Sequence, residues 1–222
     1  MTKRIFITAT DTDAGKTHIA CALVNALVRN GKNVSVYKPI SAGCENVDGK
    51  LINEDAQRLL KQSNTGQTIE QVNPIAFEPP IAPHIAAAKL NRSIEISELQ
   101  TNFDSLIDEA PDVLVSEGAG GWRLPLGNGK FLSEFATITN QSVVLVVNMK
   151  LGCLNHALLT YEAIINDGLT CIGWIANGIE EMPYFEENLT TLKEQMPAPN
   201  LGVVRFEPDI SKIADIIDIS NF

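Results

Sequence analysis

The 222-residue chain has no apolar run long enough to cross a membrane: the longest, 143–147, is far below the ~20 residues a bilayer demands. No apolar signal segment stands before the first strand-like run, so the expected location is the cytoplasm. Basic residues are scarce. With 17 Lys and Arg against 27 Asp and Glu, the formal net charge is −10, whereas nucleic acids and anionic membranes are held by a basic face that displaces counterions. Neither is an expected partner, and any bound anion must be held by local dipoles and a few placed lysines. Cysteine is sparse too. Cys21, Cys44, Cys153 and Cys171 lack metal-ligand spacing, and the three histidines do not cluster with them. Free thiols in a reducing compartment are the expectation. Repeats, low-complexity tracts and domain-dividing linkers are missing, which leaves 1–222 as a single domain.

What is present is an apolar fraction of 45% with 20% charged residues, enough for one substantial core. Apolar, β-rich runs recur at 5–8, 34–37, 113–115, 143–147, 171–176 and 201–204, separated mostly by segments of helical period. That alternation predicts an α/β fold, a mainly parallel central sheet flanked by helices on both faces. Ile19, Ala20, Leu23, Val24 and Leu27 mark one helix, closed by Gly31. Leu99, Phe103, Leu106 and Ile107 mark another, with Ser97 and Gln100 as its expected capping box. A third includes Leu158, Leu159 and Ile164.

Ligands of parallel sheets gather at the carboxyl ends of strands, so the residues after each run carry the chemistry. The first is followed by Ala9-Thr10-Asp11-Thr12-Asp13-Ala14-Gly15-Lys16-Thr17, a turn into a helix. Backbone N–H groups in such a turn, backed by the helix dipole, cradle phosphate; Lys16 adds a point charge and the Thr17 hydroxyl can ligate Mg²⁺. The spacing is irregular, because Thr10 stands where a first glycine is usual. An ordinary tight turn is the plainer alternative, and the helical period that follows favours the cradle. Lys38 ends the second run in Tyr37-Lys38-Pro39-Ile40-Ser41-Ala42-Gly43, as a functional or a surface lysine. Glu117, in Ser116-Glu117-Gly118-Ala119-Gly120-Gly121-Trp122, would be costly at a buried strand end without a metal or hydrogen-bond partner. Asp55, near a helix start, is a third candidate oxygen ligand beside Thr17 and Glu117. Free N–H groups in the turn around Gly152 suit a carboxylate or belong to an ordinary helix start. Asn177-Gly178 offers a side-chain amide for an adenine edge, or a simple turn.

Taken together, these motifs resemble the dethiobiotin synthetase family. The resemblance rests on Thr10 to Thr17, Tyr37-Lys38-Pro39, Glu117-Gly118-Ala119-Gly120-Gly121, Lys150-Leu151-Gly152-Cys153-Leu154-Asn155-His156 and Trp174-Ile175-Ala176-Asn177, in the family's order. Ala82-Pro83-His84 and Met196-Pro197-Ala198-Pro199 extend it over nearly the full chain. It implies a homodimeric enzyme with a P-loop NTPase-like three-layer sandwich. The implied reaction is ATP- and Mg²⁺-dependent closure of a ureido ring on 7,8-diaminononanoate with CO₂, in biotin biosynthesis. By position, Lys38 and Lys16 would be the catalytic lysines and Thr17, Asp55 and Glu117 the metal ligands. Nucleotide contacts would fall on Asp13, Ala14, Gly15, Lys16, Thr17, His18, Asp55, Glu117, Gly118, Ala119, Gly120, Asn177, Gly178, Arg205, Phe206 and Glu207. The substrate would meet Lys38, Ser41 and Ala42, and its carboxylate the N–H groups of Gly152, Cys153, Leu154 and Asn155, from the neighbouring subunit.

The chain departs from the family at three places. Ala9 replaces a usual glycine, the substrate-contacting hydroxyl of the Lys-Pro turn falls on Ala42 with Ser41 one residue early, and Arg205 stands where a proline often ends the strand. A non-catalytic nucleotide-dependent switch, for which Ala9 and Ala42 would be marks of decay, is the alternative. A partitioning-type ATPase is disfavoured, since positions 9 to 14 hold no lysine. Lys16 and Lys38 are both expected at a solvent-connected site.

Overall fold

The computed structural model describes residues 1–222. The first half runs β1 (Lys3–Ala9), α1 (Lys16–Arg29), β2 (Val34–Tyr37), β3 (Ile40–Ala42), β4 (Glu45–Val47), β5 (Lys50–Ile52), α2 (Glu54–Leu60), α3 (Ile69–Val72), β6 (Ile75–Phe77), α4 (Pro83–Lys89) and α5 (Ile96–Asp108). The second half runs β7 (Val113–Glu117), β8 (Pro125–Gly127), β9 (Lys130–Phe131), α6 (Leu132–Ile138), β10 (Ser142–Asn148), α7 (Cys153–Asn166), β11 (Cys171–Gly178), α8 (Phe185–Gln195), β12 (Asn200–Arg205) and α9 (Ile210–Ile216).

The six apolar runs are the six strands of one sheet, in the order β12-β11-β10-β1-β7-β2, with every pairing parallel. Strand alternation divides the core between its faces. Ile5, Ile7 and Ala9 of β1 join a cluster with α1, α2 and α9, while Phe6 faces the opposite cluster with α5, α6 and α7. The result is the expected three-layer sandwich. From β1 the chain leaves toward β2 on one side and later builds β10, β11 and β12 on the other. The crevice where the direction reverses lies beyond the end of β1.

Gly31, at φ +78, closes α1 as anticipated. The expected capping box at Ser97 and Gln100 is not formed, because α5 begins two residues earlier, behind Glu95. Ser97 is thereby drawn inside the first turn, while Leu99, Phe103 and Leu106 still face the core. Leu159 is also exposed rather than packed, though Ile164 of the same helix is fully buried. No helix is long and apolar enough to cross a membrane.

Candidate active site

The turn between β1 and α1 gathers free donors. The N–H groups of Asp13, Ala14, Gly15, Lys16, Thr17 and His18 have no acceptor within the protein, and the first intrahelical bond is Ile19 N–H to Gly15 O at 3.1 Å. Asp13 and Gly15 adopt positive φ, 55° and 76°, which turns successive amides toward one concavity. Gly15 is needed twice over: a Cβ there would meet Asn177 Nδ2 at 2.2 Å, and Asn177 is held by donating to Ala14 O at 2.9 Å. Asn148 N–H donates to Thr10 Oγ1 at 3.1 Å, and Lys150 pairs with Asp11 at 2.8 Å, so the end of β10 braces the loop. Ala9 needs no special backbone. It is a fully buried strand residue paired with Val146, so its methyl adds to the core and costs the loop nothing.

Beside the loop, β7 presents Glu117 and β2 is followed by Lys38, both almost wholly buried. Lys38 Nζ lies 2.5 Å from Glu117 Oε1, 3.2 Å from Gly118 O and 3.5 Å from Asp55 Oδ2. Burial alone would discharge this ammonium; Glu117 and then Asp55 outweigh it and hold the pKa above the ordinary lysine value. Lys16 is the opposite case. Its only hydrogen bond is to Asp11 O at 3.3 Å, and burial, followed by repulsion from Lys38, brings its pKa down to about 8. Thr17 Oγ1 donates to Glu117 Oε1 at 2.8 Å. Glu117 Oε2 is buried with no partner at all, an uncommon condition for a carboxylate oxygen. Asp55 sits in the first turn of α2, whose start is capped by Asn53 accepting from Ala56 N–H at 3.1 Å. No cluster of three His, Cys, Asp or Glu side chains is close enough to cage a metal. A hydroxyl with two carboxylates is instead the partial set that suits Mg²⁺, which keeps water and phosphate oxygens as its other ligands.

These groups share one cavity of about 970 Å³, lined among others by Asp13, Gly15, Lys16, Thr17, His18, Lys38, Ser41, Ala42, Asp55, Glu117, Ala119, Gly120, Asn177, Gly178, Phe206 and Glu207. Both lysines therefore do line a common space, although Lys38 is enclosed by its partners. Ala14 and Gly118 sit behind the lining, each with its carbonyl oxygen in use. Arg205 is not brought in: it lies over the Phe185 ring, 4.2 Å from its centroid, and pairs with Glu186. Gly152, Cys153, Leu154 and Asn155 lie outside the cavity, at the start of α7. Ser41 donates to Asn73 Oδ1 at 2.6 Å, so its hydroxyl hydrogen is already committed. Sequence reading missed Arg58 and the Pro80-Ile81-Ala82-Pro83 wall. The spacing of Arg58, three residues after Asp55 on one helix face, was the available signal.

A parallel sheet with an anion cradle at its topological switch point defines a P-loop nucleotide-binding protein, and the family described as "AAA domain" matches residues 3–214. The septum site-determining protein MinD of Pyrococcus horikoshii shares this fold, with a TM-score of 0.58 at 20% identity over 96% of this chain and 85% of that one. Nearer relatives are ATP-dependent dethiobiotin synthetases. That of Cellvibrio japonicus is 49% identical over 203 residues, 91% of this chain and 89% of the relative; that of Tolumonas auensis is 41% identical over 224 residues, 99% of each. The chain belongs to the ATP-dependent dethiobiotin synthetase family.

Proposed function

We infer that this chain closes the ureido ring of dethiobiotin from 7,8-diaminononanoate and CO₂ at the expense of ATP. One observation carries the reading: an unpartnered amide run, Asp13 to His18, shares a cavity with Lys16, Lys38, Glu117 and Asp55. In the reaction one substrate amine adds to CO₂ and loses a proton, giving a carbamate. A carbamate oxygen attacks the γ-phosphorus and ADP leaves; the second amine then attacks the carbonyl carbon, loses a proton and expels phosphate. Each species is anionic, so lysines and oriented amides stabilise charge where it develops. Lys38 meets the carbamate by exchanging its long contact to Asp55, the weakest of its three. Mg²⁺, held by Thr17, Glu117 and Asp55, would neutralise the phosphate oxygens, and the unpartnered Glu117 Oε2 supports that fit. Ring closure is intramolecular, and positioning supplies roughly 7–11 kcal/mol of barrier reduction.

Adenine is read by Asn177, with Phe206 and Glu207 beside it. Arg205 is not part of this reading. The substrate carboxylate is received by the α7 start of a second copy: Leu154 and Asn155 N–H have no backbone acceptor, and Leu151 and Leu159 are exposed around them. The protein acts as a cytoplasmic homodimer. The switch alternative loses one support, since Ala9 lies in a regular strand. Purified protein given diaminononanoate, bicarbonate, Mg²⁺ and ATP is expected to release ADP and the cyclic urea together. ADP release that ignores the diamine would overturn the assignment.

A further inference from the structure

Arg58 is a cation of the cavity for which the mechanism above has no use. It lies one turn beyond Asp55 on α2, lines the same space, and pairs with no carboxylate. Its one hydrogen bond is from Nη2 to His18 Nδ1 at 3.1 Å. A guanidinium only donates, so Nδ1 is the acceptor and the ring proton sits on Nε2, which donates to Glu207 O at 2.8 Å. His18 thus ties α2 to the loop after β12 and leaves the other donors of the guanidinium uncommitted.

The position follows from the order of groups. Lys38, Glu117 and Asp55 form one contact group in the cavity lining, and Phe206 and Glu207 line it from the loop after β12. His18 carries the last of the free amides, follows Thr17, which donates to Glu117, and itself bonds Glu207 O, so it links the two groups. We propose that Arg58 binds the α-phosphate end of ATP and that His18 is the positioning residue that aims it; this rests on reading the cavity as the ATP site. A guanidinium there replaces part of the water around the inner phosphate with charge-assisted hydrogen bonds. Because ADP keeps that phosphate, the contact serves substrate and product alike and is uniform binding rather than transition-state stabilisation.

Calorimetric titration with ATP and with ADP tests this. Arg58→Ala is expected to weaken both nucleotides about tenfold, to raise the KM for ATP, and to leave kcat within about twofold. His18→Ala should weaken both by a smaller factor, and His18→Asn, whose amide oxygen accepts near the Nδ1 position, should regain part of it. Unchanged affinity in Arg58→Ala, a loss confined to ATP, or a fall in kcat at constant KM would each overturn the proposal. Wild-type protein that binds neither nucleotide would overturn the reading of the cavity and this proposal with it. Wild-type affinity in His18→Ala would overturn the positioning role.

Discussion

The two parts of the cavity lining that the proposed function makes its phosphate end and its base end are built on different terms. At the phosphate end, buried charges and a left-handed turn are locked by short contacts among Thr17, Lys38 and Glu117. At the base end, Phe206 is 78% exposed and held mainly through its backbone N–H to Gly178 O at 2.9 Å. On the proposed function, preorganisation is concentrated where charge changes during the reaction, and looseness is tolerated where the ligand only has to be recognised. Damage at the first end should cost turnover and sometimes the fold; damage at the second should cost affinity alone.

The widest break is expected from Lys38→Ala. Turnover should fall to background, and stability should drop by about 3–5 kcal/mol, because Glu117 is left buried without its cation. Adding Glu117→Gln should recover much of the stability and none of the activity. Lys16→Ala should lose turnover to a similar degree while urea unfolding stays at or above the wild-type midpoint, since its buried ammonium has no carboxylate partner. Equal stability losses in the two single variants would contradict the contrast between them.

At the base end, Phe206→Ala is expected to raise the KM for ATP by roughly five- to tenfold, about 1 kcal/mol of lost ring contact, with kcat preserved. Melting temperature should not move, given the exposure of the ring. A drop in kcat of the same size as the rise in KM would show that the base end also takes part in the chemistry.

The same contrast governs what the sequence disclosed. The six sheet strands were legible because strands buried on both faces read as apolar runs, and the loop after each strand then named the phosphate end. The short β3–β6 pair and the β4–β5 and β8–β9 hairpins were not, since two or three residues carry no period of their own. Arg205 shows the cost. Reading it as a nucleotide contact required knowing where α8 lies, and Phe185 and Glu186 of that helix take its guanidinium. The Ser97 cap failed for a related reason: α5 begins two residues earlier, behind Glu95, while Leu99, Phe103 and Leu106 keep their buried face.

The smallest effect tests Ser41 and Ala42, the pair proposed to meet the substrate. Ser41 and Ala42 both line the cavity, but Ser41 spends its proton on Asn73 while Ala42 offers only a methyl group. In this geometry Ser41 has no proton to offer in place of the hydroxyl that, by the resemblance, falls on Ala42. Ala42→Ser places a donor on the cavity side without disturbing the Ser41–Asn73 bond. A neutral hydrogen bond contributes ~0.5–1.5 kcal/mol, so the KM for diaminononanoate should fall by up to about tenfold while the KM for ATP stays the same. An unchanged diamine KM would mean that the substrate in this chain is held without that hydroxyl, by the amides at the start of α7 and by Lys38. In that case Ser41→Ala should be silent in KM and visible only as a loss of stability of about 1 kcal/mol, through the unpaired Asn73.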